Sequence, residues 1–285
     1  MAAPTRNRRS ARPLGLAALY AILVGYAAVV VLPMIWLLYT SLKDNREIFA
    51  SAWKLPEVPH WQNFVHAWVR AGIGRYFLNS MLVTVVSVAL ILLVSSMAAY
   101  ALTRFSFRGS RAIFYAFLAG LMIPSQLALV PLFFLVNAMR LLDTYAGLIL
   151  VYIAFSLPFT IFVLSGFFRT LPHELAEASL IDGCTHIQAF WRVMLPLAKP
   201  ALVTAAIFNF LGIWNEYLFA LVLISSERLR TLPLGLANLL MVTHYENDWG
   251  ALFAGLVMVM IPTVLAYSLL QGQITKGITV GALKG

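Results

Sequence analysis

Six stretches of this chain are each apolar over a length that can cross a hydrocarbon core, and this restricts the fold more than any motif does. About 20 consecutive apolar residues in a helix span a bilayer. The stretches lie at 14–42, 77–103, 112–136, 145–168, 201–225 and 251–271. Inside lipid every backbone N–H and C=O needs a partner from the chain, so segments of this length are expected as helices. The expectation is an all-α polytopic membrane protein with six transmembrane helices. Composition agrees, since 61% of the 285 residues are hydrophobic and 11% charged, whereas soluble domains run near a half and a quarter. A mean hydropathy of +0.86 leaves more apolar surface than a core of this size can hide, and lipid must cover the remainder.

A cleaved signal peptide is the rival reading of the first stretch, because Arg6, Arg8, Arg9 and Arg12 precede it. The apolar run outlasts a signal core and ends in Trp36 and Tyr39, which suit an interfacial anchor. It is therefore read as a spanning helix. Twelve of the 20 Lys and Arg residues fall on one side of the resulting topology, in the N-terminal arm, around Arg104, Arg108 and Arg111, at Arg169, Arg192 and Lys199, and in the tail. Five of the other eight share the single long loop from Lys43 to Tyr76. The positive-inside rule then puts both termini on the cytoplasmic side. The net charge of +9 is a topology signal on this reading, so nucleic acid is set aside as a partner. A lipid-binding basic arm at Arg6 to Arg12 is the weaker alternative.

Several enzyme classes find no support. No Walker phosphate loop occurs, since Gly272 to Gly277 is followed by Ile278 rather than Lys-Ser or Lys-Thr. No H-E-x-x-H or G-x-S-x-G motif is present. The five histidines, His60, His66, His173, His186 and His244, lack metal-ligand spacing, and Cys184 is the only cysteine. No catalytic residue, metal site or cofactor is therefore assigned to this chain. An ion-coupled secondary transporter would carry several intramembrane ionisable groups, and Glu216 is nearly alone. Prolines at 33, 124, 131, 158 and 262 lie inside the apolar stretches and suggest bent helices around a pathway.

One segment between the fourth and fifth stretches differs from the rest. Pro172 can open a helix whose first turn holds Glu174 and Glu177, and Gly183 can end it in a left-handed conformation. Leu175, Ala178 and Ser179 are spaced to share a face, as are Ile187, Phe190 and Trp191 in a second short helix that Leu195 and Pro196 should stop. Two short amphipathic helices with a glycine corner form a surface that fits a groove on another protein.

Here a resemblance enters. Glu177, Ala178 and Ser179, then Gly183, then Val193, Met194, Leu195 and Pro196 are similar to the EAA loop of binding-protein-dependent ABC importers, with Ser179 replacing alanine and Val193 replacing isoleucine. The similarity extends through Arg75 to Ser80, Ala99 to Ala101 with Arg104 and Phe105, Ile123 and Pro124, Trp214 to Glu216, and the tail Gly277 to Gly285. It is closest to the maltose-type carbohydrate permeases. The resemblance implies a type I ABC importer permease fold and alternating access. The domains it implies are a cytoplasmic arm at 1–13, a first transmembrane helix at 14–42, an extracytoplasmic loop at 43–76, a five-helix transmembrane domain at 75–271 with a coupling loop at 171–200, and a cytoplasmic tail at 272–285. Glu177, Ala178, Ser179, Asp182, Gly183, Leu195 and Pro196 would couple to a separate ATPase dimer that holds ATP and Mg. Gly281, Lys284 and Gly285 would touch it. A second homologous permease and an extracytoplasmic solute-binding protein are the other implied partners.

Asn209, Gly212 and Glu216 fall on one face if the fifth stretch is a single helix, and they are the candidate solute path. A sugar or sugar-like solute is the expected cargo. The alternatives are a peptide, amino acid or polyol phosphate importer and, more remotely, an ion-coupled transporter.

Overall fold

The computed structural model describes residues 11–246 and 248–282, with side chains described for 15–241 and 248–268. Among the described residues there is no β-strand. The first helix, α1 (Ala11–Thr40), is apolar throughout, and no residue of its most apolar stretch is buried. Short helices α2 (Asn45–Ala50) and α3 (Gln62–Val65) follow, and α3 runs into a wide π turn at His66–Arg70. The long helix α4 (Ile73–Arg104) opens at Gly72. Next come α5 (Ser110–Gly120), α6 (Ser125–Ala138) and α7 (Tyr145–Thr170). The elbow segment contains α8 (Glu174–Ile181), α9 (His186–Ala189), a second π turn at Phe190–Met194, and α10 (Leu195–Leu197). The chain closes with α11 (Lys199–Trp214), α12 (Leu218–Leu223), α13 (Leu232–Glu246) and α14 (Trp249–Ala282).

Four helices are long and apolar enough to cross a membrane, and the number rises to six only if each of two bent pairs counts as one span. The stretch expected at 112–136 is such a pair, because α5 and α6 meet at 104°. Pro124 causes the break: a residue before proline is pushed out of the helical region, and Pro124 itself is extended, with ψ at 124°. Pro33, Pro131, Pro158 and Pro262, by contrast, are all carried inside continuous helices. The other pair is the segment His186–Leu197 with α11; the stretch expected at 201–225 itself ends as α11 at Trp214 and resumes as α12. Between the fifth and sixth apolar stretches lies a further apolar helix, α13.

α4 and α7 share the most extensive packing. The buried face of α4 carries Ser80, Thr84, Ser87, Ile91, Ser95 and Ala99, small enough to let α7 approach closely. Buried side chains gather in three clusters: one around Tyr152, Ile213 and Phe219, one around Tyr100, Phe168 and Phe190, and one around Tyr76, Trp214 and Leu232. The second cluster lies at the end of the bundle that carries the elbow segment. The third lies at the opposite end, where α1 joins α14 through an edge-to-face contact of Trp36 with Phe253 at 5.5 Å.

Candidate functional site

The elbow segment is held rigid by its own backbone. At the end of α8 the Cys184 N–H donates to the Ser179 carbonyl and the Gly183 N–H to the Leu180 carbonyl, both at 3.0 Å, which is a Schellman closure. It requires a left-handed residue, and Gly183 has φ +85°. α9 begins with a reciprocal cap: the Gln188 N–H donates to Thr185 Oγ1 at 3.3 Å, and the Thr185 N–H to Gln188 Oε1 at 2.8 Å. Phe190 and Met194 are buried against Ala99 and Tyr100 of α4 and Leu164 and Phe168 of α7. The Tyr100 ring is 5.2 Å from Phe190 and 5.9 Å from Phe168, so one aromatic group joins all three segments. Arg104, the last residue of α4, donates from Nη2 to the Phe168 carbonyl at 2.9 Å and the Leu171 carbonyl at 2.8 Å. Those carbonyls lie at the C-terminal end of α7, where i→i+4 partners run out and a cation is favoured; the Phe168 carbonyl also accepts from the Leu171 N–H at 3.3 Å.

The outward surface of the elbow is not the one that residue spacing predicts. Leu175 and Ala178 are exposed, whereas Ser179 is buried and donates its hydroxyl to the Ala176 carbonyl at 2.7 Å. Phe190 points inward, but Ile187 and Trp191 point outward, since Ile187 and Trp191 are four residues apart while Phe190 precedes Trp191 by one residue, about 100° of rotation. Leu175, Leu180, Ile181, Ile187 and Trp191 form the exposed apolar ridge, and Ile181 is 86% exposed. Glu177, Asp182 and Gly183 are exposed beside it. Leu195 and Pro196 do not stop the helix; the chain turns by 75° between Leu197 and Lys199.

Asn209, Gly212 and Glu216 do not share a helical face, because α11 ends at Trp214. Asn209 is buried and its Nδ2 donates to Thr160 Oγ1 of α7 at 2.9 Å and to the Ala205 carbonyl at 2.8 Å. Glu216 lies beyond the helix end and caps the next helix. Its Oε1 accepts from the Phe219 N–H at 2.7 Å, and its Oε2 accepts from the Ala220 N–H at 3.2 Å and from the Tyr152 hydroxyl at 2.8 Å. Asn215 donates to the Leu211 carbonyl of its own helix at 2.8 Å and is exposed. Gly212 has open space where a side chain would stand. A cleft of about 340 Å³ opens beside the break, lined by Asn215, Tyr217 and apolar residues of α13 and α14 such as Leu236 and Leu256. Thr160 and Tyr152, which sequence reasoning passed over, are the groups that occupy Asn209 and Glu216. Their signal was polarity at membrane depth in the fourth apolar stretch.

The opposite end of the bundle is pinned by polar side chains. Asn79 donates to the Arg228 and Arg230 carbonyls at 2.9 Å and accepts from the Tyr145 hydroxyl at 2.7 Å. The Leu232 N–H donates to Ser80 Oγ at 2.7 Å. Asp143 accepts from the Ser225 and Ser226 N–H groups at 3.0 and 2.8 Å and from the Ser226 hydroxyl. These donors, the Ser226 hydroxyl foremost, hold the Asp143 carboxyl below the usual carboxylate range. Lys43 is buried, donating to the Ser51 and Ala52 carbonyls, and burial pushes its ammonium down, partly offset by Glu47. Among the described residues, no three His, Cys, Asp or Glu side chains are grouped to hold a metal ion. Gly281 belongs to α14 by its backbone, and Lys284 and Gly285 lie outside the described residues.

Residues 91–280 match the family described as "Binding-protein-dependent transport system inner membrane component". The chain is 44% identical over 265 residues to the diacetylchitobiose uptake system permease protein NgcG of Streptomyces coelicolor, covering 93% of this chain and 88% of that one. It is 36% identical over 269 residues to the trehalose transport system permease protein SugB of Mycobacterium tuberculosis, covering 94% and 97%. Its fold matches a bacterial ABC transporter involved in import of the acidic polysaccharide alginate, with a TM-score of 0.82, 23% identity, and coverage of 95% of this chain and 99% of that one. With its match spanning most of the helical bundle and the whole elbow, the chain belongs to the inner membrane components of binding-protein-dependent transport systems and is a permease subunit of an ABC importer.

Proposed function

We propose that this permease carries a sugar or sugar-like solute into the cytoplasm by alternating access, driven by ATP and Mg on a separate ATPase dimer that docks on the elbow. The observation that carries the reading is the exposed apolar ridge on a rigid elbow. Five exposed apolar side chains beside Glu177 and Asp182 suit a partner's groove better than water. The Schellman corner and the buried Phe190 and Met194 would pass a push on α8 to α4 and α7 rather than absorb it. The sugar assignment rests on relatives whose names specify diacetylchitobiose and trehalose.

A second permease and lipid would cover α1, whose apolar stretch has no buried residue. An external solute-binding protein would meet the pinned end, at 43–76 and 225–250. Gly212 and the break beside it would line the solute path, with Asn209 and Glu216 fixing the wall, and Gly281, Lys284 and Gly285 would reach the ATPase. Twelve basic residues on the elbow side support cytoplasmic termini.

The test is uptake of labelled oligosaccharide by vesicles containing the permease pair, the ATPase and the binding protein. Gly183→Leu would force a side chain into a left-handed backbone. It should abolish solute-stimulated ATP hydrolysis while the complex still assembles, and normal stimulation would refute the elbow's role. Cys184, half-buried beside Gly183, should react with a membrane-impermeant maleimide in inside-out vesicles and not in intact cells. The opposite pattern would invert the topology.

A further inference from the structure

Arg104 makes only part of the bonding its guanidinium can support. The group has five N–H donors in a fixed fork. Nη2 uses its two on the Phe168 and Leu171 carbonyls. Nε and Nη1 are buried with no acceptor. A charged donor left unpaired away from water is costly, so such groups are usually matched in another state of the molecule or by a partner. The Glu174 carboxylate is near enough to act electrostatically on this guanidinium. It lies in the first turn of α8, three residues beyond Leu171, and is exposed, and no ion pair joins it to Arg104.

We propose that Arg104 is a positioning residue for transport, and that its unpaired Nη1 takes the Glu174 carboxylate when α8 moves toward the bundle. In the arrangement described, Arg104 fixes the end of α7 against the end of α4. In the shifted arrangement it holds α8 as well, so that α4, α7 and the elbow move as one body. A bond made in one state and absent from the other biases the equilibrium between them, which a contact present in both cannot do. The guanidinium suits this use, because Nη2 can hold two carbonyls while the adjacent Nη1 still has both N–H groups to offer a carboxylate. The inference rests on the reading of the elbow as the ATPase contact.

The experiment uses the complete transporter, with its ATPase and binding protein, in proteoliposomes. The quantity read is solute transported per ATP hydrolysed for Glu174→Gln, Glu174→Asp, Arg104→Lys, and the pair Arg104→Lys with Glu174→Gln. Glu174 is exposed, so its variants test the idea without disturbing folding. Glu174→Gln and Arg104→Lys should each lower the ratio about five- to tenfold, and Glu174→Asp should retain most of it. The double variant should be no worse than the poorer single one, since both remove the same bond. A wild-type ratio in Glu174→Gln, or losses that multiply in the double variant, would overturn the proposal. Gly183→Leu in the same vesicles separates the two ideas. If Gly183→Leu uncouples and Glu174→Gln does not, only the Arg104 inference falls; if neither uncouples, the elbow is not the ATPase contact.

Discussion

Replacing Glu216 tests whether a carboxyl group at membrane depth is a structural cap or a working group. Its two oxygens accept three hydrogen bonds, from Phe219, Ala220 and Tyr152, and two of those donors are orphan N–H groups at the start of α12. A glutamine keeps one acceptor oxygen, and its amide nitrogen can donate to the Tyr152 oxygen if that hydroxyl turns. It therefore loses about one charge-assisted bond and the attraction between charge and helix dipole, together about 2 kcal/mol. Alanine leaves all three donors unmatched at roughly 1–3 kcal/mol for each buried one, or about 4 kcal/mol in total. At about 2–4 °C per kcal/mol, Glu216→Gln should lower the melting temperature of the detergent-solubilised complex by ~6 °C and Glu216→Ala by ~12 °C. Tyr152→Phe combined with Glu216→Ala should recover part of the loss, because one unmatched donor disappears. Equal melting of the two Glu216 variants, or an unchanged value for Glu216→Ala, would show that the carboxylate does not satisfy those donors.

Asn209→Ala removes a bond between α11 and α7 and should cost about 0.6–2 kcal/mol of stability while leaving the half-saturation for uptake unchanged. Asn215→Ala, on the cleft, should do the reverse, and a shifted half-saturation in Asn209→Ala would return that residue to the solute path. For Asp143 the folded pKa is depressed, so its contribution is complete above the unfolded value of about 3.9 and is lost as pH falls through the lower folded value. The melting temperature of wild type should therefore exceed that of Asp143→Ala at pH 6, and the gap should narrow as the pH falls below the unfolded value; a gap independent of pH would contradict the linkage.

The apolar lengths in the sequence were enough to set the class of fold, because a helix long enough to span lipid has few alternatives. The elbow was legible for a similar reason, since a left-handed corner almost demands a glycine and Gly183 supplies it. What periodicity could not supply was where a helix stops for polar reasons. Asn215 and Glu216 end α11 and begin α12 by side-chain bonds to the backbone, and nothing in hydropathy marks such a point. The face containing Asn209, Gly212 and Glu216 was drawn on a continuous helix and failed at that break. Tyr152 and Thr160 stand out in sequence only as polar groups in an apolar stretch; their pairing with Glu216 and Asn209 needed α7 placed beside α11, because a hydrogen bond 64 or 49 residues apart in sequence leaves no local pattern. Pairing Leu175 and Ala178 with Ser179 failed through a smaller effect, a surface whose orientation depends on how α8 leaves Leu171.

The π turn at Phe190–Met194 changes what a count of residues means in the elbow. Its closing bond runs from the Leu195 N–H to the Phe190 carbonyl, so five residues occupy roughly the turn that an α-helix fills with about four. The flanking helices keep their phase as though one residue were missing. Deleting one of Trp191, Arg192 or Val193 would allow an ordinary turn to form with Ile187 still outward and Leu195 still in register, whereas a deletion within α8 would rotate everything before it by about 100°. The nine positions between Gly183 and Val193 are thus a length in sequence and not in rotation, and chains one residue shorter there can present the same surface.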